Sequence, residues 1–193
     1  MRTPLLLVSL LTTLASACIY PRADRYRQLP FTYDGETGPL GWHLLPNNTL
    51  CGAGKYQSPI NITPNIPGVT LIKEPLKLSF PKYSEEIDVE NNGHTIVFTP
   101  RHVGNYTSVL AGKHYKLLQF HFHAPSEHRF ADESYPLEVH FVHRDTEGNL
   151  AVVGVFFELA LECGDKFLHG TTPALDHLKR MGDNYTIHDI SFR

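Results

Sequence analysis

The sequence predicts one mainly β (α+β) domain, built on a large, twisted and mostly antiparallel central sheet with a few short helices. Three observations support this fold class. The 193 residues suit a single domain with a substantial core. From Val69 onward, short runs rich in β-branched and aromatic residues alternate with turn signals. A good helix signal comes only late, at TTPALDHLKRMG.

The N-terminal residues have the pattern of a secretory signal peptide. Arg2 supplies a positive charge, an apolar core follows, and Ala15 to Ala17 form a small-residue cleavage site. The apolar run is too short to span a bilayer. We therefore predict a signal peptide over 1–17, a linker over 18–30, one domain over 31–193, secretion to the outside of the cell, and no membrane span. Four N-x-S/T sequons fit a secreted glycoprotein: Asn47, Asn61, Asn105 and Asn184.

The elements of the domain follow in order. The segment up to about Asn65 is rich in Pro, Gly and Asn and is expected to be irregular. The predicted strands are VTLIKEPLKLSF, EIDVENN, HTIVFTP, YTSVLAG, KLLQFHFH, LEVHFVHR and NLAVVGVFFEL. The links AGKH and RDTEGN suit hairpins. NLAVVGVFFEL is apolar on both faces, which predicts a central strand. In the late helix we expect Thr172 as the N-cap, Pro173 as the first helical residue and Gly182 as the terminator.

Charge and cysteine content narrow the function classes. Lys and Arg number 17 against 20 Asp and Glu, and no basic run is interleaved with aromatic residues. Nucleic acid is therefore not an expected partner. The three cysteines, Cys18, Cys51 and Cys163, allow one disulfide and leave one cysteine over. The twelve histidines are the unusual feature of the composition, and several of them cluster.

Three histidines on two predicted strands form a pattern suited to a metal. In QFHFH, His121 and His123 are two residues apart and share one face of the strand, while the two phenylalanines point the other way. In LEVHFVH, a neighbouring strand would offer His140. Three neutral histidines with one open position are the ligand set of a catalytic zinc. The same period places Gln119 beside His121 and Glu138 beside His140, where each could accept the second N–H of its histidine.

Two families fit this spacing. HFHAPSE, from His121 to Glu127, matches the H-x-H-x3-E motif with which cupins bind iron or manganese, but the later Pro-x-Gly block of cupins has no counterpart. The segments GKYQSPINI, ENNGHTIVF, QFHFHAPSEH and YPLEVHFVH, followed by LAVVGVFF, resemble the successive signatures of the α-class carbonic anhydrases, in the same order. This second resemblance runs from about Phe31 to the end of the sequence.

The resemblance implies an α-carbonic-anhydrase-like fold, Zn²⁺ as the cofactor and the reversible hydration of CO2 to bicarbonate and a proton. It implies His121, His123 and His140 as zinc ligands. It further implies these roles: His94 as the proton shuttle, Glu127 as the residue that orients a gating threonine, Val142 and Val152 as the apolar wall of the substrate pocket, and Tyr33 and Asn92 as polar groups of the water network. It leaves the oligomeric state open.

The sequence departs from the family pattern at its C-terminal side. The resemblance implies an S-L-T-T-P-P block with the gating threonine, and further strands, after Arg193. Thr171, Thr172 and Pro173 look like this block, but we interpret them as the start of the late helix. Cys51 aligns with a cysteine that secreted members pair with one beside the block. We therefore expect a C-terminally incomplete domain with weak or no hydratase activity; the alternative is a carbonic-anhydrase-like zinc-binding module without catalysis.

Overall fold

The computed structural model describes residues 7–9, 31–33, 35–38, 41–69, 76–161 and 164–192. Of the predicted signal peptide it describes only Leu7–Ser9. The rest of that segment, the linker over 18–30, Cys18 and Cys163 lie outside the described residues. Cys51 is described, and its thiol is free and exposed among these residues.

The described part of the chain is mostly sheet, as predicted. Its strands are β1 Leu7–Ser9, β2 Asn61–Ile62, β3 Lys77–Ser79, β4 Ile87–Asn91, β5 Ile96–Pro100, β6 Thr107–Leu110, β7 Lys113–His123, β8 Arg129–Phe130, β9 Glu133–Ser134, β10 Leu137–Arg144, β11 Leu150–Phe157 and β12 Asn184–Ile187. Its α-helices are α1 Leu50–Ala53 and α2 Lys166–Leu175, and short 3₁₀ helices span Gly35–Thr37, Trp42–Leu44 and Val103–Asn105.

Nine of the described strands form one antiparallel sheet in the order β1-β11-β10-β7-β5-β4-β12, with β6 joining β7 to β3. The mainly β fold class is thereby confirmed. The central position predicted for NLAVVGVFFEL is wrong, because β11 is next to last and β7 lies in the middle. Ala151 and Val153 are buried in the core while Val152 is half-buried on the other face, so packing on both faces explains the apolar run. The strands β2, β8 and β9 form a separate small sheet.

Both predicted hairpins are present. AGKH joins β6 to β7, and Ala111 and Gly112 at its turn both have positive φ, 47° and 78°. RDTEGN joins β10 to β11, where Gly148 has a φ of 91° and the Asp145 carboxylate accepts the backbone N–H groups of Glu147 and Asn149. Two tight turns therefore set the register of the strands on either side of the site.

A β-bulge in the central strand determines which side chains reach the core. The β7–β10 register shifts between Val142 and His143, so that Leu118 has no partner in the pairing. Leu117 and Phe120 are three apart and would face opposite sides of a regular strand, yet both are fully buried in one core cluster. The extra residue reverses the alternation, as bulges do. Beyond it, the histidines of β7 face away from this core.

The predicted start and end of the late helix are wrong. The helix α2 begins at Lys166, and the Asp165 side chain caps it by accepting the N–H of Leu168 at 2.8 Å. Pro173 lies inside the helix and has no N–H for the carbonyl of His169. The Thr172 hydroxyl donates to that carbonyl at 2.9 Å, which offsets the missing bond.

Gly182 does not end the helix, which stops at Leu175. It lies further along with a φ of 90°, and its N–H donates to the carbonyl of Asn91 in β4.

The four sequons differ in their environments. Asn47, Asn105 and Asn184 are exposed. The Asn61 side chain forms two hydrogen bonds with Asp132. Its N–H donates to the Asp132 carboxylate at 2.7 Å, and its oxygen accepts the Asp132 backbone N–H at 3.0 Å.

No helix among the described residues combines the length and the apolar character that crossing a membrane requires.

Candidate metal centre

The pairing of β7 with β10 brings the three predicted histidine ligands together. His140 pairs directly with His121, and the next residue on this face of β7, His123, pairs with Glu138. All three histidines are buried, and one ring nitrogen from each can be chosen so that all three lie within 4.8 Å of one another. The strand period thus produces one compact cluster.

The hydrogen bond of His121 leaves its outer nitrogen available. Nδ1 lies 2.8 Å from the side-chain oxygen of Gln119, two residues earlier on the same face. Because that oxygen can only accept, Nδ1 carries the hydrogen. Nε2 of His121 is buried and has no hydrogen-bond partner among the described residues. Gln119 therefore lies where the sequence placed it, and it fixes the tautomer of His121.

His123 is oriented by Tyr33, a contact that strand periodicity does not predict. The Tyr33 hydroxyl donates to Oε1 of Glu127 at 2.7 Å and lies 3.0 Å from Nδ1 of His123. With its only hydrogen given to Glu127, the phenol oxygen accepts from Nδ1–H. Nε2 of His123 is then an unprotonated nitrogen, buried and without a hydrogen-bond partner in the part of the chain described.

His140 is oriented by a carboxylate that several donors hold in place. Oε1 of Glu138 lies 2.8 Å from Nε2 of His140 and 2.7 Å from Nδ1 of His128. Oε2 accepts the backbone N–H groups of Glu127 and His128, both at 2.9 Å. Although burial raises the pKa of the Glu138 carboxyl, the hydrogen bonds from His128 and His140 outweigh it and hold this pKa below its ordinary value. Glu138 is therefore an anion that leaves Nδ1 of His140 for a metal.

His128 belongs to the support of this carboxylate rather than to the ligand set. Its Nε2 lies 3.2 Å from the hydroxyl of Ser58, in the segment QSPI. Only the position of Ser58 within a matched motif could have drawn attention to it, because a serine in a loop has no distinctive spacing.

The electrostatics of the cluster keep the imidazoles of His121 and His123 neutral. Burial, together with the neighbouring His123 and His140, lowers the pKa of His121 to about 2. Burial and the proximity of His140 likewise lower the pKa of His123 to about 3. A neutral imidazole is the form that binds metals. Four buried nitrogens of these rings have no hydrogen-bond partner among the described residues: Nε2 of His121, Nε2 of His123 and both nitrogens of His140, of which Nε2 lies 2.8 Å from the Glu138 carboxylate. One nitrogen from each ring can therefore bind an ion such as zinc.

A glycine on β11 makes room for this arrangement. Gly154 pairs with His140, and a β-carbon at this position would lie 2.9 Å from Oε1 of Glu138. In the sequence this residue is only a glycine inside an apolar strand, so its role depends on a register that the sequence does not specify.

The two valines assigned to an apolar wall face each other across β10 and β11. Val142 pairs directly with Val152; Val142 is fully buried and Val152 is half-buried. Val142 also pairs with Gln119 on its other side. Val142 therefore lies two residues from His140 along β10, and Val152 lies two residues from Gly154, the partner of His140 on β11.

His94 lies in a separate cavity beside the cluster. The ring of Phe31 stacks on the His94 imidazole with centroids 4.0 Å apart. Burial lowers the pKa of His94. The cavity has a volume of about 290 Å³, and Tyr33, which contacts His123, is among its lining residues. Tyr33 therefore connects this cavity to the metal centre.

Asn92 has a structural role in the turn before β5. Its side-chain oxygen accepts the backbone N–H groups of His94 and Thr95 at 3.0 and 2.9 Å. The turn thereby fixes the backbone of His94.

Thr171 and Thr172 resemble the gating-threonine block in sequence, but the structure places them in a helix. Both lie inside α2, where the hydroxyl of Thr171 donates to the carbonyl of Leu168 and that of Thr172 to the carbonyl of His169.

This chain is similar to known proteins in both sequence and fold. A family model described as eukaryotic-type carbonic anhydrase matches residues 37–193. A carbonic anhydrase of Neisseria gonorrhoeae is 38% identical over 160 residues, 81% of this chain and 61% of that protein. Alpha carbonic anhydrase 2 of Arabidopsis thaliana is 33% identical over 159 residues, 80% of this chain and 64% of that protein. The solved structure of a fungal alpha carbonic anhydrase from Aspergillus oryzae superposes with a TM-score of 0.72 at 34% identity, covering 85% of this chain and 68% of that one.

The chain spans less than two thirds of the length of either curated relative. The superposition confirms the α-carbonic-anhydrase-like fold, and the comparisons give no support to the cupin alternative.

Proposed function

Because the chain belongs to the eukaryotic-type carbonic anhydrase family, we propose that its three-histidine cluster is the zinc centre of an enzyme that interconverts CO2 and bicarbonate. The observation that carries the proposal is the set of three buried histidines, His121, His123 and His140, each of which can offer one ring nitrogen within 4.8 Å of those of the other two. Zinc held by three neutral histidines makes a hydroxide nucleophile available near neutral pH, and this is the chemistry it would supply for CO2 hydration.

The residues around the cluster would hold the ligands and admit the substrate. Gln119, Tyr33 and Glu138 each fix the tautomer of one histidine, which is the usual role of groups that contact metal ligands. Val142 and Val152 would offer CO2 an apolar surface on the same side of the sheet. A small apolar substrate needs such a surface because it has few polar groups to bind.

His94 would carry the proton that hydration releases. An imidazole can exchange protons near neutral pH, and burial shifts the pKa of His94 downward, which favours release of the proton to solvent. Tyr33 and Asn92 line the cavity that contains His94, where they would hold water molecules between it and the cluster.

The Glu127 carboxylate would orient a hydroxyl group near the metal centre. In this structure the hydroxyl that donates to its carboxylate is that of Tyr33.

The route of the protein would be secretory. The charge, apolar core and small residues of 1–17 support this, as do the three exposed sequons Asn47, Asn105 and Asn184.

Metal analysis and CO2 hydration test the proposal together. The purified 193-residue chain is expected to hold one zinc per chain and to hydrate CO2, measured by stopped flow with a pH indicator, faster than its zinc-free form. His121→Ala should lose both properties. The matched control is His114→Ala, which removes an exposed histidine from the same strand and should change neither. A preference for iron or manganese, or no metal at all, would contradict the proposal, and zinc binding without hydration would indicate the non-catalytic module.

A further inference from the structure

Strand pairing gathers four basic side chains that are scattered along the sequence. Lys77 lies on β3, His114 and Lys116 on β7, and Arg144 on β10, and all four are exposed. Lys116 pairs directly with Arg144, while Val109 of β6 pairs with both Lys77 and His114. Paired residues share a face of a sheet, as do residues two apart on one strand. The four side chains therefore lie on one face, and we call them the basic patch.

The pair of Lys116 and Arg144 is unfavourable as it stands. Residues directly opposite each other on antiparallel strands have β-carbons about 4.5–5.5 Å apart, and like charges at this distance destabilise a sheet. Neither side chain forms an ion pair or a side-chain hydrogen bond with another described residue, and the same holds for Lys77. A bound anion would turn this repulsion into a favourable contact.

Two hydroxyl groups extend the same row of the sheet. Thr107 pairs with Lys116 on the side away from Arg144, and Ser79 pairs with Thr107. Because neighbouring strands lie about 4.7–4.9 Å apart, this row of four residues spans roughly 14 Å. Hydroxyl, ammonium and guanidinium groups all donate hydrogen bonds, and the charged donors form the stronger ones with anions. The row is therefore an elongated strip of donors.

The positive character of this face is local. The chain as a whole has a formal charge of -3. The other residues that share the face beside the basic patch on β3 and β6 are uncharged: Ser79, Thr107 and Val109. An overall excess of cations therefore does not account for the patch.

The carboxylates that follow Arg144 in the sequence are engaged within their own turn. The Asp145 carboxylate accepts the backbone N–H groups of Glu147 and Asn149 and one N–H of the Asn149 side chain. The Glu147 carboxylate accepts from the Asn149 side chain at 3.2 Å. Neither carboxylate is paired with Arg144.

An exposed strip of this kind suits a polymer better than a single small anion. Exposed charge contacts are individually weak, whereas a polymer engages several of them at once. A sulfate group offers three acceptor oxygens, which match the hydroxyl, ammonium and guanidinium donors of one row. We propose that the basic patch docks an extended sulfated polysaccharide. The patch contains no aromatic side chain on which a base could stack, and the proposed secretory route leads to the compartment where such polymers occur.

The patch is separate from the candidate metal centre, although both lie on one face of the sheet. Arg144 is four residues beyond His140 on β10, which at about 3.3 Å per residue places them roughly 13 Å apart. Changes in the patch therefore leave the histidine cluster intact. The docking proposal consequently does not depend on zinc or on CO2 hydration.

Binding of a fluorescently labelled heparin dodecasaccharide to the full 193-residue chain tests the proposal. The double variant Lys116→Gln/Arg144→Gln removes the central pair. At about 0.15 M salt it should bind roughly 2- to 30-fold more weakly, which is the combined loss of two exposed charge contacts. The matched control is Lys55→Gln/Lys166→Gln, which removes the same charge from two exposed positions outside the patch and should bind within about 1.5-fold of the unmodified chain.

Thermal unfolding gives a second measurement that does not need a labelled ligand. Without heparin, Lys116→Gln should unfold at the same or a higher temperature than the unmodified chain, because the repulsion from Arg144 is removed. Saturating heparin should raise the unfolding temperature of the unmodified chain more than that of the double variant. Circular dichroism checks that each variant is folded.

The outcomes separate a docking site from general attraction between charges. Weaker binding in the patch variant alone, together with failure of hyaluronan (a carboxylated, unsulfated polysaccharide) and of duplex DNA to displace heparin, supports the proposal. An equal loss in both double variants, or no heparin binding by the unmodified chain, overturns it. Displacement of heparin by hyaluronan or by DNA at equal charge concentration also overturns it, because the patch would then not select a sulfated polysaccharide. None of these outcomes alters the proposed zinc centre.

Discussion

Gly154 lies directly opposite His140, and a β-carbon at position 154 would lie 2.9 Å from the Glu138 oxygen that contacts this histidine. The Glu138 carboxylate cannot easily move away, because its other oxygen accepts two backbone N–H groups. We predict that Gly154→Ala displaces the carboxylate and weakens zinc binding about 10–100-fold while every ligand remains. A competition titration with a chelator measures this.

Gly104→Ala is the matched control for that variant. A β-carbon at Gly104 would meet nothing within 4 Å, so zinc affinity should not change. An unchanged affinity in Gly154→Ala would show that Glu138 does not position His140.

Removal of the Tyr33 hydroxyl should loosen the other side of the centre. The hydroxyl accepts from Nδ1 of His123 and donates to Glu127, so Tyr33→Phe leaves the N–H of His123 without its acceptor and frees the carboxylate. We predict zinc binding weaker by about 10-fold, with little loss of folding stability because the ring is partly exposed. The same titration measures the affinity, and urea unfolding measures the stability.

Tyr56→Phe provides the comparison, since Tyr56 is largely exposed and lies outside the cluster. Equal zinc affinities in the two variants would exclude a positioning role for Tyr33.

The ligand face of the site could be predicted from the sequence because it depends on one local rule. Residues two apart on a strand share a face, and this rule alone groups Gln119, His121 and His123. Their convergence with His140 also needed the pairing of two strands, which the family resemblance implied and the register shows.

Other features depend on contacts between distant parts of the chain. The bulge at Leu118 is invisible in a run of apolar residues, and it reverses which residues of β7 are buried. The helix α2 is capped by Asp165 rather than by Thr172, because several residues in this segment can cap a helix and packing selects one of them. The roles of Gly154 and Ser58 follow only from which atoms meet at Glu138 and His128.

Acidification should destabilise the metal-free protein through His143. This ring is fully buried against Phe80, and burial lowers its pKa from 6.5 to about 4, although its hydrogen bond to the carbonyl of Phe141 raises it. Between pH 6.5 and about 4, His143 binds a proton in the unfolded chain but stays neutral in the folded chain. The contribution of His143 to the free energy of unfolding is therefore fully present above pH 6.5. It falls by roughly 3 kcal/mol as the pH decreases from 6.5 to 4. Urea unfolding at several pH values measures it.

His143→Gln should have a shallower pH dependence than the unmodified protein over this range. The difference isolates His143, because the buried His121 and His123 contribute to both. His114→Gln, which changes an exposed histidine on β7, should keep the full dependence. Identical pH profiles for the His143 variant and the unmodified protein would contradict the prediction.

The stack of Phe31 on His94 should control the titration of the proposed proton shuttle. The rings lie 4.0 Å apart and nearly parallel, and burial lowers the pKa of His94. We predict that Phe31→Ala raises this pKa toward 6.5, because water then reaches the imidazole and stabilises its charged form. Nuclear magnetic resonance of the imidazole nitrogens across the pH range measures the shift directly. Phe31→Tyr keeps an aromatic ring over His94 and should leave the pKa low; a similar rise in both variants, or in neither, would show that burial by Phe31 does not set it.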